Sequence, residues 1–239
     1  VILVVAGTGT GVGKTVVTAA LAALHPGRAA MLKPAQTGVV PGEDGDADTV
    51  ARLVPGTAVC ELERYPDPLA PATAAARAGR PGVGAAGTAR AARALARDHG
   101  LVLVEGAGGL LVRLHAGGDT LADVAAELDA PLLLVARAGL GTLNDTALAA
   151  EAIAARGLRC TGTVIGRWPA RPDPAARCNL ADIADVSGLP LLGALPEGAA
   201  ALCPRAFAAA AASALTPAAG GECGDPPPPR PRVTCGVCC

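Results

Sequence analysis

The run Val1-Ile2-Leu3-Val4-Val5-Ala6 leads straight into Gly7-Thr8-Gly9-Thr10-Gly11-Val12-Gly13-Lys14-Thr15, and an Ala-rich helical pattern follows to residue 24. A short, unbroken apolar run reads as a strand covered on both faces of a parallel sheet. Glycines after it let backbone N–H groups converge on anionic oxygens, and the helix N-terminus adds a favourable dipole. Lys14 would neutralise β- and γ-phosphates there, and the Thr15 hydroxyl would ligate Mg²⁺. The first glycine is Gly7 rather than residue 8, so the loop is one residue longer than the common spacing. This junction predicts a nucleotide-phosphate cradle.

Working outward, the same alternation repeats. Apolar runs at Ile2–Ala6, Ala29–Lys33, Leu101–Glu105, Leu132–Ala136, Thr161–Ile165 and Leu191–Ala194 read as strands. Helical patterns fall at 14–24, 46–54, 84–98, 120–128, 143–156, 175–187 and 199–214, several opened by Asp, Thr or Asn as caps. The Pro- and Gly-rich stretch 55–82 is expected to hold little regular structure. The whole predicts one doubly wound α/β domain over 1–215, a mostly parallel sheet with helices on both faces.

Lysine usage sharpens the site. Among 20 Lys and Arg only Lys14 and Lys33 are lysine, and the remaining 18 are arginine. A compact ammonium with three donors is not interchangeable with a planar guanidinium, so both lysines are site candidates. Lys33 ends a strand and opens Lys33-Pro34-Ala35-Gln36-Thr37-Gly38. A third strand end carries Val104-Glu105-Gly106-Ala107-Gly108-Gly109, and a carboxylate at that end of a parallel strand faces the ligand crevice. Glu105 is therefore a Mg²⁺ ligand candidate with Thr15. Asp44, Asp46 and Asp48, taken alone, read as a solvated loop and helix cap or as a metal site.

Other features bound the function. Net charge is −1 with no basic block, which gives no nucleic-acid surface, and no apolar run approaches the roughly 18 residues a membrane span needs. A cytoplasmic protein is expected. Trp, Tyr and Phe occur once each, so the core must be Val, Leu, Ile and Ala. His25, His99 and His115 share no spacing with a nucleophile or metal pattern. Cys60, Cys160, Cys178 and Cys203 are scattered, whereas Cys223, Cys235, Cys238 and Cys239 crowd a Pro-rich tail. One Cys-x-x-Cys is half a zinc site, and the tail 216–239 is expected to be disordered.

These blocks together resemble the dethiobiotin synthetases, a P-loop NTPase-type family of biotin synthesis, over about residues 1–215. The resemblance rests on the loop at 7–15, Lys-Pro-x-x-Thr-Gly at 33–38 and Val-Glu-Gly-Ala-Gly-Gly at 104–109. Leu140-Gly141-Thr142-Leu143-Asn144 and Leu195-Pro196-Glu197-Gly198 add weaker matches. It implies an ATP- and Mg²⁺-dependent ligase that carboxylates 7,8-diaminononanoate with CO₂ and closes a ureido ring. It implies Lys33, Lys14 and Thr10 as catalytic residues. Gly9, Thr10, Gly11, Val12, Gly13, Lys14, Thr15 and Val16 would hold the phosphates, and Gly166, Pro196, Glu197 and Gly198 the base. Thr37, Gly108, Gly141, Thr142, Asn144 and Asn179 would bind substrate, and Thr15, Asp46 and Glu105 the metal. The resemblance also implies a homodimer with the active site at its interface.

Two departures stand out. Asp145 follows Asn144 where the family often has His, and Gly166 stands where many relatives carry an adenine-reading Asn. The partitioning and cell-division ATPases share the loop, but they place a lysine where this chain has Gly9 and have no use for Lys33. Corrin-amidating enzymes need a glutaminase domain, which is not in the sequence.

Overall fold

The computed structural model describes residues 1–25 and 27–215. The expectation for the tail 216–239 lies outside the described residues. Seven strands form one all-parallel sheet: β1 (Ile2–Gly7), β2 (Ala29–Lys33), β4 (Ala58–Glu61), β6 (Leu101–Glu105), β7 (Leu132–Ala136), β8 (Cys160–Trp168) and β9 (Leu191–Pro196). Their order is β4-β2-β6-β1-β7-β8-β9, with β3 (Gln36–Thr37) and β5 (Arg64–Tyr65) paired separately. Val5 lies opposite Glu105 on one side of β1, and Val4 opposite Leu132 on the other. Because every strand runs the same way, the carboxyl ends of β1, β2, β6, β8 and β9 share one edge. The order reverses direction at β1, the topological position where ligands bind in open α/β sheets.

Alternate residues of each strand feed two apolar layers. Val5, Met31, Leu103 and Leu133 face Val17, Val50 and Phe207 of α1 (Lys14–Ala23), α2 (Asp46–Leu53) and α8 (Pro204–Ala214). Val4, Leu32, Val102 and Leu134 face Ala92, Val124 and Ile153 of α4 (Ala85–Leu95), α5 (Leu121–Leu128) and α6 (Thr142–Ala154). Helix α7 (Pro174–Ser187) covers the far side of β8 through Ile183 and Ile165. Small alanines dominate the helix faces packed on the sheet, as a core with few aromatics requires.

The stretch 55–82 is more ordered than its composition predicts. It contributes β4 to the main sheet, β5 to the small one, and helix α3 (Pro71–Arg77). Strand β4 lies at the sheet edge beside β2 and is only partly buried, so it lacks the solid apolar run of a central strand. Pro71 sits at the first position of α3, where a missing N–H costs nothing. The helix expected over 199–214 is split into a 3₁₀ turn, Ala199–Ala201, and α8, because Pro204 can start a helix but not continue one. Strands β8 and β9 run past the expected ends, to Trp168 and Pro196. No described helix is long and apolar enough to cross a membrane.

Candidate active site

Glycine conformation sets the cradle. Gly11 and Gly13 take φ of 73° and 99°, the left-handed region that disfavours side chains, and Gly13 caps α1. Gly13 also packs on Gly166 of β8. A Cβ on Gly166 would stand 2.2 Å from the Val12 carbonyl oxygen, and one on Gly13 would stand 2.6 Å from the Gly166 carbonyl. Gly166 therefore does more than omit a side-chain contact to a base: its bare backbone is what lets the loop lie against β8.

From this loop Lys14 folds back, its Nζ donating to the Gly9 carbonyl at 3.0 Å. Lys14 is 7% exposed; burial, then the nearby Lys33 charge, lower its pKa to about 8. Thr15, next on α1, donates from Oγ1 to Glu105 Oε1 at 2.9 Å. Glu105 is fully buried at the end of β6, and its Oε2 is buried without a hydrogen-bond partner.

Lys33 reaches into the same spot from the end of β2. Its Nζ lies 2.8 Å from Glu105 Oε1, 2.5 Å from Asp46 Oδ2 and 3.1 Å from the Gly106 carbonyl. Burial opposes the charge on Lys33, but Glu105 and Asp46 outweigh it and hold the ammonium above its ordinary pKa. Burial likewise opposes ionisation of Asp46, and the Lys33 charge and its hydrogen bond prevail, holding that carboxyl below its ordinary value.

Local structure separates Asp46 from Asp48. Asp46 opens α2, and its N–H donates to Gln36 Oε1 at 2.9 Å, which aims the carboxylate at the site. Asp48 turns back to accept the Gly45 N–H at 2.7 Å and Arg64 Nη2 at 3.2 Å. It is the helix cap, as half of the earlier expectation had it. Arg64 also donates to Glu61 Oε1 at 2.6 Å and to the Glu43 carbonyl at 2.8 Å, tying this loop to β4.

A cavity of about 510 Å³ opens here. Of the expected residues it is lined by Thr10, Gly11, Gly13, Lys14, Thr15, Val16, Lys33, Thr37, Asp46, Glu105, Gly108, Gly166, Pro196 and Gly198. Gln36, Thr49 and Arg167 also line it, and sequence reading missed them. A hollow of about 530 Å³ beside Thr73, Val112, Arg113 and His115 is no smaller, but it gathers no lysine, carboxylate or glycine-rich backbone.

The remaining candidates lie elsewhere. Gly9 contributes its carbonyl to Lys14, and Val12 is buried in the core. Glu197 turns to Arg167 at 3.5 Å, while its N–H donates to the Trp168 carbonyl. Gly141, Thr142 and Asn144 do not line the cavity; they form the N-terminus of α6, with the Thr142 hydroxyl buried and unpartnered. Asp145, the acidic departure, is neutralised by Arg137 at 2.8 Å. Asn179 also lies off the cavity. Its amide donates to the carbonyls of Ala138 and Gly139 at 2.8 and 3.2 Å, so its visible work is to hold the loop before α6.

Comparison with known proteins follows this geometry. The family described as an AAA domain matches residues 2–201. An ATP-dependent dethiobiotin synthetase BioD of Saccharopolyspora erythraea is 64% identical over 221 residues, 92% of this chain and 98% of its own. Another of the same name, from Streptomyces coelicolor, is 62% identical, covering 92% and 94%. This chain belongs to the ATP-dependent dethiobiotin synthetase family. It is thus an ATP-dependent ligase of the P-loop NTPase type. Among solved structures, the cell division ATPase MinD of Pyrococcus furiosus superposes with a TM-score of 0.53 at 21% identity, covering 88% of this chain and 96% of that one. A ParA family ATPase of Chlorobium tepidum gives 0.52 at 14%, covering 82% and 83%. These two share the fold.

The oxygen donors suit a hard divalent ion. Thr15, Asp46 and Glu105 offer one hydroxyl and two carboxylates, and Glu105 Oε2 has an acceptor to spare. Mg²⁺ is usually held by one or two carboxylates together with substrate phosphates.

Proposed function

We propose that this protein carboxylates 7,8-diaminononanoate with CO₂ and ATP, closing the ureido ring of dethiobiotin in the cytoplasm. The observation that carries the reading is the meeting of Lys14 and Lys33, the only two lysines, in one cavity beside Glu105. A nucleotide switch would need the first lysine; a ligase that transfers a phosphoryl group to a carbamate has use for the second. Family membership supports the same activity.

One amine adds CO₂ to form a carbamate and releases a proton. A carbamate oxygen then takes the γ-phosphoryl group as ADP leaves. The second amine attacks the activated carbonyl, expels phosphate and closes the ring. Lys14 and Lys33 stabilise charge developing on the transferring group and the carbamate. Thr10, Thr37 and the backbone at Gly108 orient the diamine, where proximity supplies much of the acceleration. Mg²⁺ held by Thr15, Asp46 and Glu105 would neutralise the phosphate oxygens.

The diamine's carboxylate would lie at the α6 N-terminus of a partner subunit, against Gly141, Thr142 and Asn144. Two large apolar side chains flank that end: Leu140 is 87% exposed and Leu148, two turns along, 58%. Exposed leucines beside an otherwise unfilled subsite support a homodimer through this face.

The test is a product assay with diaminononanoate, bicarbonate, Mg²⁺ and ATP, read by mass spectrometry and phosphate release. Diamine-dependent dethiobiotin is expected, and Lys33→Ala should retain nucleotide binding and lose product. Phosphate release without product would sink the ligase reading.

A further inference from the structure

The Lys33 ammonium occupies the position of a bound cation. It is within hydrogen-bonding distance of Asp46 Oδ2 and Glu105 Oε1 at once, and Thr15 Oγ1 donates to that same Oε1. Every oxygen donor assigned to the metal is therefore already gathered around one positive charge. Glu105 Oε1 accepts two hydrogen bonds, which uses its lone-pair directions. An ion taken directly by this oxygen must push one donor aside. Mg²⁺ also requires ligands at about 2.1 Å in near-octahedral array, and a buried ammonium beside it would repel it strongly. In Lys33 the part free to yield is the side chain, because its backbone is fixed in β2 opposite Glu61, with its carbonyl accepting the Leu62 N–H at 3.0 Å.

We propose that a divalent cation displaces Lys33 from the Asp46–Glu105 pair, so that metal loading itself swings the lysine toward the substrate. The inference rests on the reading that this pair holds the metal. Before loading, the lysine keeps two buried carboxylates together and holds them in position for the ion. After loading, the same ammonium is released into the cavity lined by Thr10, Thr37 and Gly108, where the carbamate would lie. The competing arrangement is also visible: an ion held through the unpartnered Glu105 Oε2 would leave Lys33 where it is.

The small number of lysines makes this measurable on the full chain. Lysine labelled with ¹³C gives side-chain Cε resonances from Lys14 and Lys33 alone, assigned with Lys14→Arg. Mg²⁺ titrated into nucleotide-free protein should shift the Lys33 resonance saturably, at the concentrations that displace Mn²⁺ followed by electron paramagnetic resonance. Lys33→Met should bind Mn²⁺ at least about tenfold more tightly than wild type, since the competing charge is gone. Glu105→Gln should abolish both effects. Should Mn²⁺ bind wild type and Lys33→Met equally, depend on Glu105 and leave the Lys33 resonance unmoved, the displacement is overturned and the metal site stands. Binding that ignores Glu105→Gln, or no binding to either protein, overturns both. If Lys33→Met does not fold, the movement of the wild-type Lys33 resonance decides alone.

Discussion

Gly166→Ala adds one methyl group at the point where two backbones touch. The new Cβ would lie 2.2 Å from the Val12 carbonyl oxygen, 2.8 Å from Val135 Cγ1 and 3.0 Å from Gly13 Cα. Ordinary contact is about 3.5 Å, so the loop or β8 must give way by about 1 Å. The obstacles are mostly backbone, and Gly13 is held at φ 99°, so no side-chain rotation relieves the clash. Overpacking of this kind costs about 1–3 kcal/mol. For a protein of this size that lowers Tm by about 2–12 °C. The displaced segment carries Lys14 and Thr15, so ATP affinity should fall about tenfold as well, since a misplacement of about 1 Å is costly at such sites. Differential scanning fluorimetry with and without ATP, followed by calorimetric titration, reads both quantities. Gly9→Ala is the control for stability: a Cβ there meets nothing within 4 Å, and melting should stay within about 0.5 kcal/mol of wild type. A Gly166→Ala protein that melts and binds ATP like wild type would refute the contact argument.

Further outcomes can be stated briefly. Lys14 releases its proton near pH 8 in the native protein, while the unfolded chain keeps it to about 10.5. The unfolded state therefore binds more protons between those values, and this group's contribution makes stability rise with pH across that window. Nucleotide binding needs the ammonium, so the ATP Kd should climb above pH 8 by up to about tenfold per pH unit; a flat Kd from about pH 7 to 9.5 would sink the assignment. Asp48→Ala should cost about 1 kcal/mol through loss of the α2 cap and leave turnover largely intact, whereas Asp46→Asn, which takes a carboxylate away from the buried Lys33, should remove activity. Equal turnover in the two variants would break the distinction drawn between them. Leu148→Glu should convert a dimer to a monomer by sedimentation velocity, and an unchanged sedimentation coefficient would move the interface elsewhere.

Legibility in the sequence followed burial. Strands β1, β2, β6 and β7 are buried along most or all of their length, so both faces are apolar and each run stands out without a partner. Strand β4 does not: Ala58-Val59-Cys60-Glu61 is bordered by turns and owes its conformation to pairing with β2. Propensity cannot announce a segment that its neighbour dictates. In the site, Lys14, Thr15, Lys33 and Glu105 were readable because each sits at a strand end or loop with its own local signature. Gln36 and Arg64 were not, since their roles depend on where α2 comes to rest. Gln36 lay inside the quoted Lys33 motif, 6% exposed, and its polarity amid buried neighbours was the available signal. Asn179 is the reverse case. Beside the substrate role expected of it, its amide donates to two loop carbonyls, a contact no local motif announced.

Strand β8 ends at Trp168, two residues beyond Gly166 and adjacent to Arg167 of the cavity wall, with its carbonyl bonded to the N–H of Glu197. It is the only tryptophan in the chain. A half-buried indole next to the cavity's Arg167, with no second indole to dilute its signal, is a built-in optical probe. Excitation near the red edge of protein absorbance isolates it from the lone tyrosine. Emission changes on adding different nucleotides would then rank their occupancy in unlabelled, unmodified protein, in real time and without coupling enzymes.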